Sequence, residues 1–221
     1  MTKIIKEDIS IPILKVNEEI AQELREFFNK RKIFVINIIS SPGAGKTTFL
    51  EKLLSFFEKN KVFILVGDIE TERDAKRIRE KGGNSYQIVT GGTCHLEAIM
   101  IKKSLSLIPE NTEYLFIENV GNLVCPASYD LGEHLRIIML STPEGDDKLP
   151  KYPKAFLTGD VILINKIDLL PYLNFDIKKV EEEAKKIKEN IKIFKISALK
   201  GDNIKEVAEF IKNKRKEYFK T

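Results

Sequence analysis

The sequence has few of the residues that build a disulfide framework or cross a membrane. It contains 2 cysteines and 2 histidines among 221 residues, so we expect no disulfide scaffold, and each thiol needs another explanation. No apolar run is long enough to cross a bilayer, and the first residues lack the apolar centre of a signal peptide. These features predict a cytoplasmic protein without a membrane segment.

Charge is abundant but nearly balanced. The chain has 37 Lys and Arg residues against 33 Asp and Glu residues, which gives a net charge of +4. No block of like charge is long enough to indicate a nucleic-acid partner. The length suits a single well-buried α/β domain rather than two full domains.

A glycine-rich stretch from Ser40 to Thr48 directly follows the apolar run 34–39. Glycines let backbone N–H groups approach an anion, and the helix that begins after them adds unpaired donors. We predict that Lys46 reaches the β- and γ-phosphates of a nucleotide and that Thr47 holds Mg²⁺. Ser40 stands where the usual motif has glycine. The residues predicted to surround the phosphates are Gly43, Ala44, Gly45, Lys46, Thr47 and Thr48.

Strand-like and helix-like segments alternate along the chain. The strand-like runs are 34–39, 62–66, 85–89, 114–117, 135–140, 161–164 and 191–196. This alternation predicts βαβ units, and hence an α/β fold with a mostly parallel sheet of about seven strands and helices on both faces, as in P-loop NTPases. One helix is predicted over 47–59, and another is predicted to reach Leu107. We expect residues 1–32 to form an N-terminal helical extension and residues 33–221 to form the nucleotide-binding domain.

Asp68 follows the second predicted strand. In parallel sheets ligands gather at the carboxyl ends of the strands. Asp68 is therefore a candidate Mg²⁺ or water-positioning carboxylate. The alternative is that it caps the helix that follows.

The segment Asn165 to Asp168 follows another strand and predicts recognition of guanine. An aspartate two residues past Lys166 can accept hydrogen bonds from the ring N–H and the exocyclic amine of guanine, whereas adenine offers no such pair. Asn165 would fix the loop, and the stem of Lys166 would lie over the base. A second loop, Ser197, Ala198 and Leu199, is placed to offer a backbone N–H to the guanine oxygen. We therefore predict that the nucleotide is GTP.

Together these motifs resemble those of the P-loop GTPases. In that superfamily an acidic residue near the γ-phosphate is linked to Mg²⁺, and the resemblance implies this role for Glu118. The catalytic set is then Lys46, Asp68 and Glu118. The sequence from Glu118 to Gly121 replaces the usual Asp-x-x-Gly, which points away from translation and small signalling GTPases. No residue is assigned to position the attacking water.

Both cysteines and one histidine fall in loops at the same edge of the predicted sheet. Cys94, His95 and Cys125 are suitable ligands for Zn²⁺ or Ni²⁺. Cys94 lies near a predicted helix start, where the local field would favour the thiolate. The alternative is that these are ordinary core residues. Three ligands leave one position open, or need a ligand from a second subunit. His134 has no evident partner.

The order of the motifs resembles that of the HypB family of hydrogenase maturation GTPases. The resemblance extends from about Phe34 to Gly201 and includes the two segments that carry the cysteines. It implies a homodimer, favoured by GTP, whose Cys94, His95 and Cys125 bind Ni²⁺ or Zn²⁺ at the subunit interface. It also implies nickel insertion into nickel–iron hydrogenase, with a HypA-like nickel carrier and the hydrogenase large-subunit precursor as partners.

Other functions stay open at this point. No Cys or His precedes Cys94, so we expect no separate nickel-storage site. The related urease GTPases have Cys-Pro-His where this chain has Cys-Pro-Ala at 125–127, which argues against a urease-type nickel GTPase. A regulatory GTP-binding switch without metal delivery would make the cysteines ordinary residues. A small-molecule kinase would need an acceptor pocket, and the paired guanine motifs argue against it.

Overall fold

A computed structural model of the chain describes residues 10–69 and 73–220. Within these ranges a single sheet contains seven strands. They are β1 (Phe34–Ser40), β2 (Val62–Asp68), β3 (Asn84–Val89), β4 (Tyr114–Glu118), β5 (Leu135–Ser141), β6 (Val161–Asn165) and β7 (Lys192–Lys195). The sheet order is β3-β2-β4-β1-β5-β6-β7, and every neighbouring pair is parallel. The prediction of a parallel α/β sheet is therefore confirmed.

Helices cover both faces of this sheet. They are α1 (Ser10–Arg31), α2 (Lys46–Leu53), α3 (Arg73–Glu80), α4 (Ala98–Lys103), α5 (Lys148–Lys151), α6 (Pro153–Thr158), α7 (Ile177–Ile187) and α8 (Ile204–Phe219). Side chains of α2, α3 and α8 pack on one face, and those of α1, α4, α6 and α7 pack on the other. In the described ranges, every helix is too short or too polar to span a bilayer.

The central strand β1 shows why two cores form. Successive side chains of a strand point to opposite faces, so Phe34, Ile36 and Ile38 join the core under α2, α3 and α8. Val35 joins the core under α1 and α4. The helix α1 thus packs on a face of the sheet. The division of the chain at residue 32 stays a prediction.

Two helices end earlier than the sequence predicts. The helix after the phosphate loop ends at Leu53 rather than at residue 59, and a 3-10 turn follows it. Phe57 then adopts an extended backbone and packs its ring against Tyr114 and Phe116. Likewise α4 ends at Lys103 and only a 3-10 turn reaches residue 107. Tertiary packing overrides local helix preference in the first case.

His134 is a packing residue. Its Nδ1 accepts a 2.9 Å hydrogen bond from the Val35 N–H, and its Nε2 lies 3.0 Å from Asn29 Oδ1. The ring stacks on Phe34 with 5.3 Å between ring centroids. Burial lowers the pKa of His134 to about 4. Both ring nitrogens are engaged in protein contacts, so this histidine is not placed to bind a metal.

Candidate nucleotide and metal site

The loop between β1 and α2 forms one wall of a cavity at the carboxyl edge of the sheet. The cavity has a volume of about 450 Å³ and is lined by the loop together with residues that follow β2 and β4. Gly45 has a φ of 102°, and a Cβ atom there would lie 2.6 Å from Asn165 Nδ2. A side chain at this position would be strained and would collide with its neighbour, which is why the loop needs glycine here.

Lys46 lies inside this cavity and is nearly buried. Its Nζ lies 3.0 Å from Ser40 Oγ. Ser40 replaces the usual glycine of the motif, so this serine supplies an oxygen that holds the lysine. Burial lowers the pKa of Lys46, and the nearby carboxylate of Glu118 opposes that effect. The lysine thus points into a region that would favour an anionic ligand.

Glu118 and Thr47 meet in the same cavity. The Thr47 hydroxyl donates a 2.8 Å hydrogen bond to Glu118 Oε1. The other oxygen, Oε2, is buried and has no hydrogen-bond partner among the described residues. Burial raises the pKa of Glu118 to about 7, against the opposing effects of Lys46 and Thr47. A buried carboxylate oxygen without a partner, beside a hydroxyl, fits a hard cation such as Mg²⁺.

Three more side chains line this cavity, and the sequence predicted only Asp68 among them. Asp74 and Arg77 also face it, although both lie on α3. Arg77 donates hydrogen bonds to Glu51 at 3.1 Å and to the Thr48 hydroxyl at 3.3 Å. A cation on the helical wall of a phosphate pocket has no short sequence motif, so the sequence analysis missed it.

The predicted guanine-binding segments lie side by side. Asn165 connects them to the phosphate loop, because its Nδ2 donates to Ala44 O at 2.8 Å and its Oδ1 accepts from the Ala198 N–H at 2.9 Å. Asp168 Oδ1 accepts a 2.6 Å hydrogen bond from the Ser197 hydroxyl. This bond orients the carboxylate at the edge of the pocket.

The space beside these residues has a volume of about 330 Å³. Lys166 lines this space, and its backbone has a positive φ of 63°. The Nζ atom of its side chain donates a 2.7 Å hydrogen bond to Gly43 O. Leu199 is 71% exposed and lines the same space. An apolar side chain and a lysine stem beside a carboxylate suit a purine base that carries hydrogen-bond donors.

The two cysteines and His95 come together in the structure. One ligand atom from each of Cys94, His95 and Cys125 lies within 4.8 Å of the others. Cys94 Sγ is 3.9 Å from His95 Nδ1. Both cysteines are partly exposed, and His95 is at the border of burial. Two sulfur atoms and an imidazole at this spacing form a set that Zn²⁺ or Ni²⁺ can bind.

The protonation states of His95 and Cys125 determine which proton a metal ion must displace when it binds. Burial lowers the pKa of His95, so its ring is neutral near pH 7. The hydrogen bond with Cys94, together with burial, raises the pKa of the Cys125 thiol. A metal ion must therefore displace a proton from Cys125 when it binds.

The helix that the sequence predicted near Cys94 begins later in the chain than expected. The helix α4 begins at Ala98, four residues after Cys94, and it is 6 residues long. The field of a helix falls off within its first turn. Cys94 is therefore not one of the residues at the start of this helix, and an effect of the helix on its thiol stays a prediction.

Two side chains that the sequence analysis missed hold the ring of His95. Its buried Nε2 lies 3.4 Å from Glu97 Oε1, an approach that does not meet hydrogen-bond geometry, and Tyr129 packs on the ring with 4.0 Å between centroids. Nδ1 is thereby left on the side of Cys94. A carboxylate behind a ligating histidine commonly fixes its tautomer, and the spacing His-x-Glu was a signal for it.

The nucleotide cavity and the cysteine cluster are joined by one short loop. The loop that follows Glu118, the last residue of β4, reaches Cys125. At its middle, a Cβ atom on Gly121 would lie 2.9 Å from Pro42 Cα, so only glycine lets the loop approach the phosphate loop this closely. The two candidate sites therefore share a segment of backbone.

Comparison with known proteins identifies the family of this chain. The family profile described as "CobW/HypB/UreG, nucleotide-binding domain" matches residues 34–195. A "Hydrogenase/urease maturation factor HypB" from Helicobacter hepaticus is 46% identical over 215 residues, which cover 95% of this chain and 88% of that protein.

Two solved structures share the whole fold. HypB from Helicobacter pylori in complex with nickel has a TM-score of 0.88 and 42% identity, with 92% of this chain and 96% of that chain covered. HypB from Archaeoglobus fulgidus has a TM-score of 0.84 and 34% identity, with 91% and 99% covered. The extent of the matched domain and the identity to these relatives show that the chain belongs to the CobW/HypB/UreG family, and within it to the HypB maturation factors.

Proposed function

We propose that the protein is a GTP-hydrolysing metallochaperone that binds Ni²⁺ or Zn²⁺ and assists nickel insertion into nickel–iron hydrogenase. The observation that carries this proposal is the Cys94, His95 and Cys125 cluster, which is joined to the nucleotide cavity by the loop that follows Glu118. A cytoplasmic location is part of the proposal.

The nucleotide site is proposed to work by electrostatic stabilisation. Lys46 and the N–H groups of the loop 43–48 would hold the phosphates, and Thr47, Asp68 and Glu118 would hold Mg²⁺. The ion, when bound, would neutralise charge that develops on the phosphate oxygens. The buried and unpartnered Oε2 of Glu118 supports a cation at this point.

The guanine end of the site is proposed to select GTP through Asp168, with Asn165 and Lys166 shaping the pocket. The loop Ser197, Ala198 and Leu199 would close the other side of the base. Contacts of Asn165 with both the phosphate loop and Ala198 support a base pocket whose position is fixed relative to the phosphates.

The metal cluster is proposed to lie at a homodimer interface that GTP favours. Exposed apolar side chains support a contact surface on this side of the molecule, since Ile13, Val16 and Ile99 surround a hollow that also includes Glu97. A HypA-like nickel carrier and the hydrogenase large-subunit precursor are the proposed partners. The name of the Helicobacter hepaticus relative keeps urease as a second possible recipient.

Linked nucleotide and metal binding is the direct test of this function. We expect the form with a non-hydrolysable GTP analogue to bind Ni²⁺ at least about fivefold differently from the GDP form, because the shared loop must adjust to both ligands. The analogue should also shift the protein toward dimer. Titration calorimetry and sedimentation measure the two effects. Equal Ni²⁺ affinity together with equal association in both forms would contradict the coupling.

Changing Asp168 to Asn should alter base selectivity. The aspartate accepts from two donors on guanine, and an amide cannot accept from both. Xanthine has an oxygen where guanine has its exocyclic amine, so an amide suits xanthine. We expect GTP affinity to fall by about 10- to 100-fold and XTP affinity to rise, measured by displacement of a fluorescent nucleotide.

The matched control for this change is Asp202→Asn. Asp202 is also a carboxylate near the base pocket, since its carbonyl oxygen accepts a hydrogen bond from the Ser197 N–H, but its side chain is exposed. The control should keep the preference for GTP. An Asp168→Asn protein that still prefers GTP would place the base elsewhere.

A further inference from the structure

A buried asparagine, Asn119, lies between the nucleotide cavity and the metal cluster. It is 1% exposed and directly follows Glu118. Its Oδ1 accepts hydrogen bonds from the Leu96 N–H at 3.2 Å and from the Val120 N–H at 3.0 Å. Because Leu96 directly follows His95, Asn119 ties the loop after β4 to the loop that carries two of the candidate ligands.

The amide nitrogen of Asn119 makes the first of a series of side-chain hydrogen bonds. It donates to Asn37 Oδ1 at 3.2 Å, and Asn37 Nδ2 donates to Glu133 Oε1 at 3.1 Å. The same oxygen of Glu133 accepts from Arg136 Nε at 2.7 Å. We refer to Asn119, Asn37, Glu133 and Arg136 as the polar chain.

Arg136 carries the polar chain to the loop of the third ligand. Its guanidinium donates to Ala127 O at 3.3 Å and to Tyr129 O at 3.0 Å. Ala127 lies two residues after Cys125, and the Tyr129 ring packs on His95. The arginine therefore holds the backbone near Cys125 and the backbone of Tyr129, the residue whose ring packs on His95.

We propose that Asn119 is a positioning residue that couples the nucleotide site to the metal cluster through Leu96 and the polar chain. This inference rests on the proposed function, because it needs a protein that binds both ligands. A ligand that shifts the backbone at Glu118 would also shift Asn119, because the two residues are adjacent. Breaking a hydrogen bond in the polar chain would leave a buried polar group without a partner, which costs free energy. The bonded residues therefore move together, and a displacement of Asn119 reaches both ligand loops.

Asn119→Asp separates the two sets of contacts. The carboxylate keeps an oxygen for the Leu96 and Val120 N–H groups, but it loses the N–H that donates to Asn37. We expect the ratio of Ni²⁺ affinities between the GTP-analogue and GDP forms to fall from at least about fivefold to within about twofold of one. Calorimetric titration with Ni²⁺ in each nucleotide form measures this ratio.

Asn37→Ala interrupts the polar chain on β1, at a residue outside the two ligand loops. It leaves the contact of Asn119 with Leu96 intact. We expect it to reduce the ratio of Ni²⁺ affinities between the GTP-analogue and GDP forms to the same extent as Asn119→Asp. If thermal melting shows that the Asn119→Asp protein does not fold, the Asn37→Ala protein tests whether the polar chain couples the two sites.

Asn17→Asp is the matched control. Asn17 is also a buried asparagine with both amide atoms bonded, since it donates to Asp130 O and accepts from the Ala98 N–H, each at 2.8 Å. It contacts the same side of the molecule, but neither of its two hydrogen bonds is to Asn119, Asn37, Glu133 or Arg136. Its variant should keep the wild-type ratio even where both Ni²⁺ affinities shift.

The measured Ni²⁺ affinity ratios distinguish a failure of the Asn119 role from a failure of the proposed function. A wild-type ratio of one overturns both the proposed coupling and the role of Asn119. A wild-type ratio of at least about fivefold that survives in a folded Asn119→Asp or Asn37→Ala protein overturns the role of Asn119 alone. Loss of the ratio in Asn17→Asp to the same extent would also overturn it, because the effect would then follow from any buried asparagine.

Discussion

Replacing Lys46 by alanine is expected to lower the rate of GTP hydrolysis at least about a hundredfold. The ammonium group is nearly buried in the cavity and is held by Ser40 Oγ, so its position is set before a nucleotide arrives. Charge that develops on the phosphates during hydrolysis would lose its nearest fixed cation. Phosphate release under saturating GTP and Mg²⁺ measures the change.

Loss of Lys46 also affects the free protein, and the experiment has to separate the two effects. The lysine lowers the pKa of Glu118, which burial raises. Without the lysine, the glutamate is a buried carboxyl group with one fewer partner, which destabilises the fold. A Lys46→Gln protein keeps a hydrogen-bond donor on a side chain that is one atom shorter but still long, so it tests whether the charge or the bulk of the lysine is needed.

Lys52→Ala is the matched control for the loss of a lysine. Lys52 lies on the same helix but is exposed. The control should keep wild-type turnover and melting temperature. A folded Lys46→Ala protein with wild-type turnover would show that the glycine-rich loop is not the hydrolytic site.

Much of the fold was predictable because strands and helices alternate with clear periodicity. The carboxyl ends of parallel strands must meet at one edge, so the sequence predicted that the phosphate loop and the cysteines share that edge. Helix ends were less predictable. α2 stops at Leu53 because Phe57 packs on rings from β4, and that contact depends on the sheet order.

The candidate site was predicted where motifs are contiguous and missed where its contacts are long-range. Lys46 was predicted from the glycine-rich stretch that contains it, and Asp168 was predicted from the segment that follows a strand. Asn119 and Asn37 are 82 residues apart, so no local pattern predicts that they pair. One signal was available, because Asn37 and Arg136 are polar residues inside strands that are otherwise apolar and buried. Polar groups in such places are normally bonded to each other.

Replacing Cys94 by alanine is expected to weaken Ni²⁺ or Zn²⁺ binding at least about a hundredfold. The change removes one of two sulfur ligands from a cluster whose ligand atoms lie within 4.8 Å of one another. His95 and Cys125 alone leave too few ligands for tight binding. Competition with a chromophoric chelator under reducing conditions measures the affinity.

Val124→Ala is the matched control, because Val124 precedes Cys125 in the same loop and is 58% exposed. It should leave metal affinity within about threefold of wild type, as expected for an exposed apolar truncation. Equal affinities of the Cys94→Ala and wild-type proteins would show that the ion binds elsewhere.

The pH dependence of binding then tests whether sulfur is the ligand. The hydrogen bond with Cys94 raises the pKa of Cys125, so the Cys125 thiol is protonated near pH 7 before a metal binds, and metal binding must release its proton. Lowering the pH by one unit should therefore weaken binding by about tenfold for each proton released. Surface carboxylates are already ionised at pH 7, so an ion bound to them would show almost no change between pH 8 and pH 6. A flat profile over that range would contradict thiolate binding even if Cys94→Ala lowered the affinity.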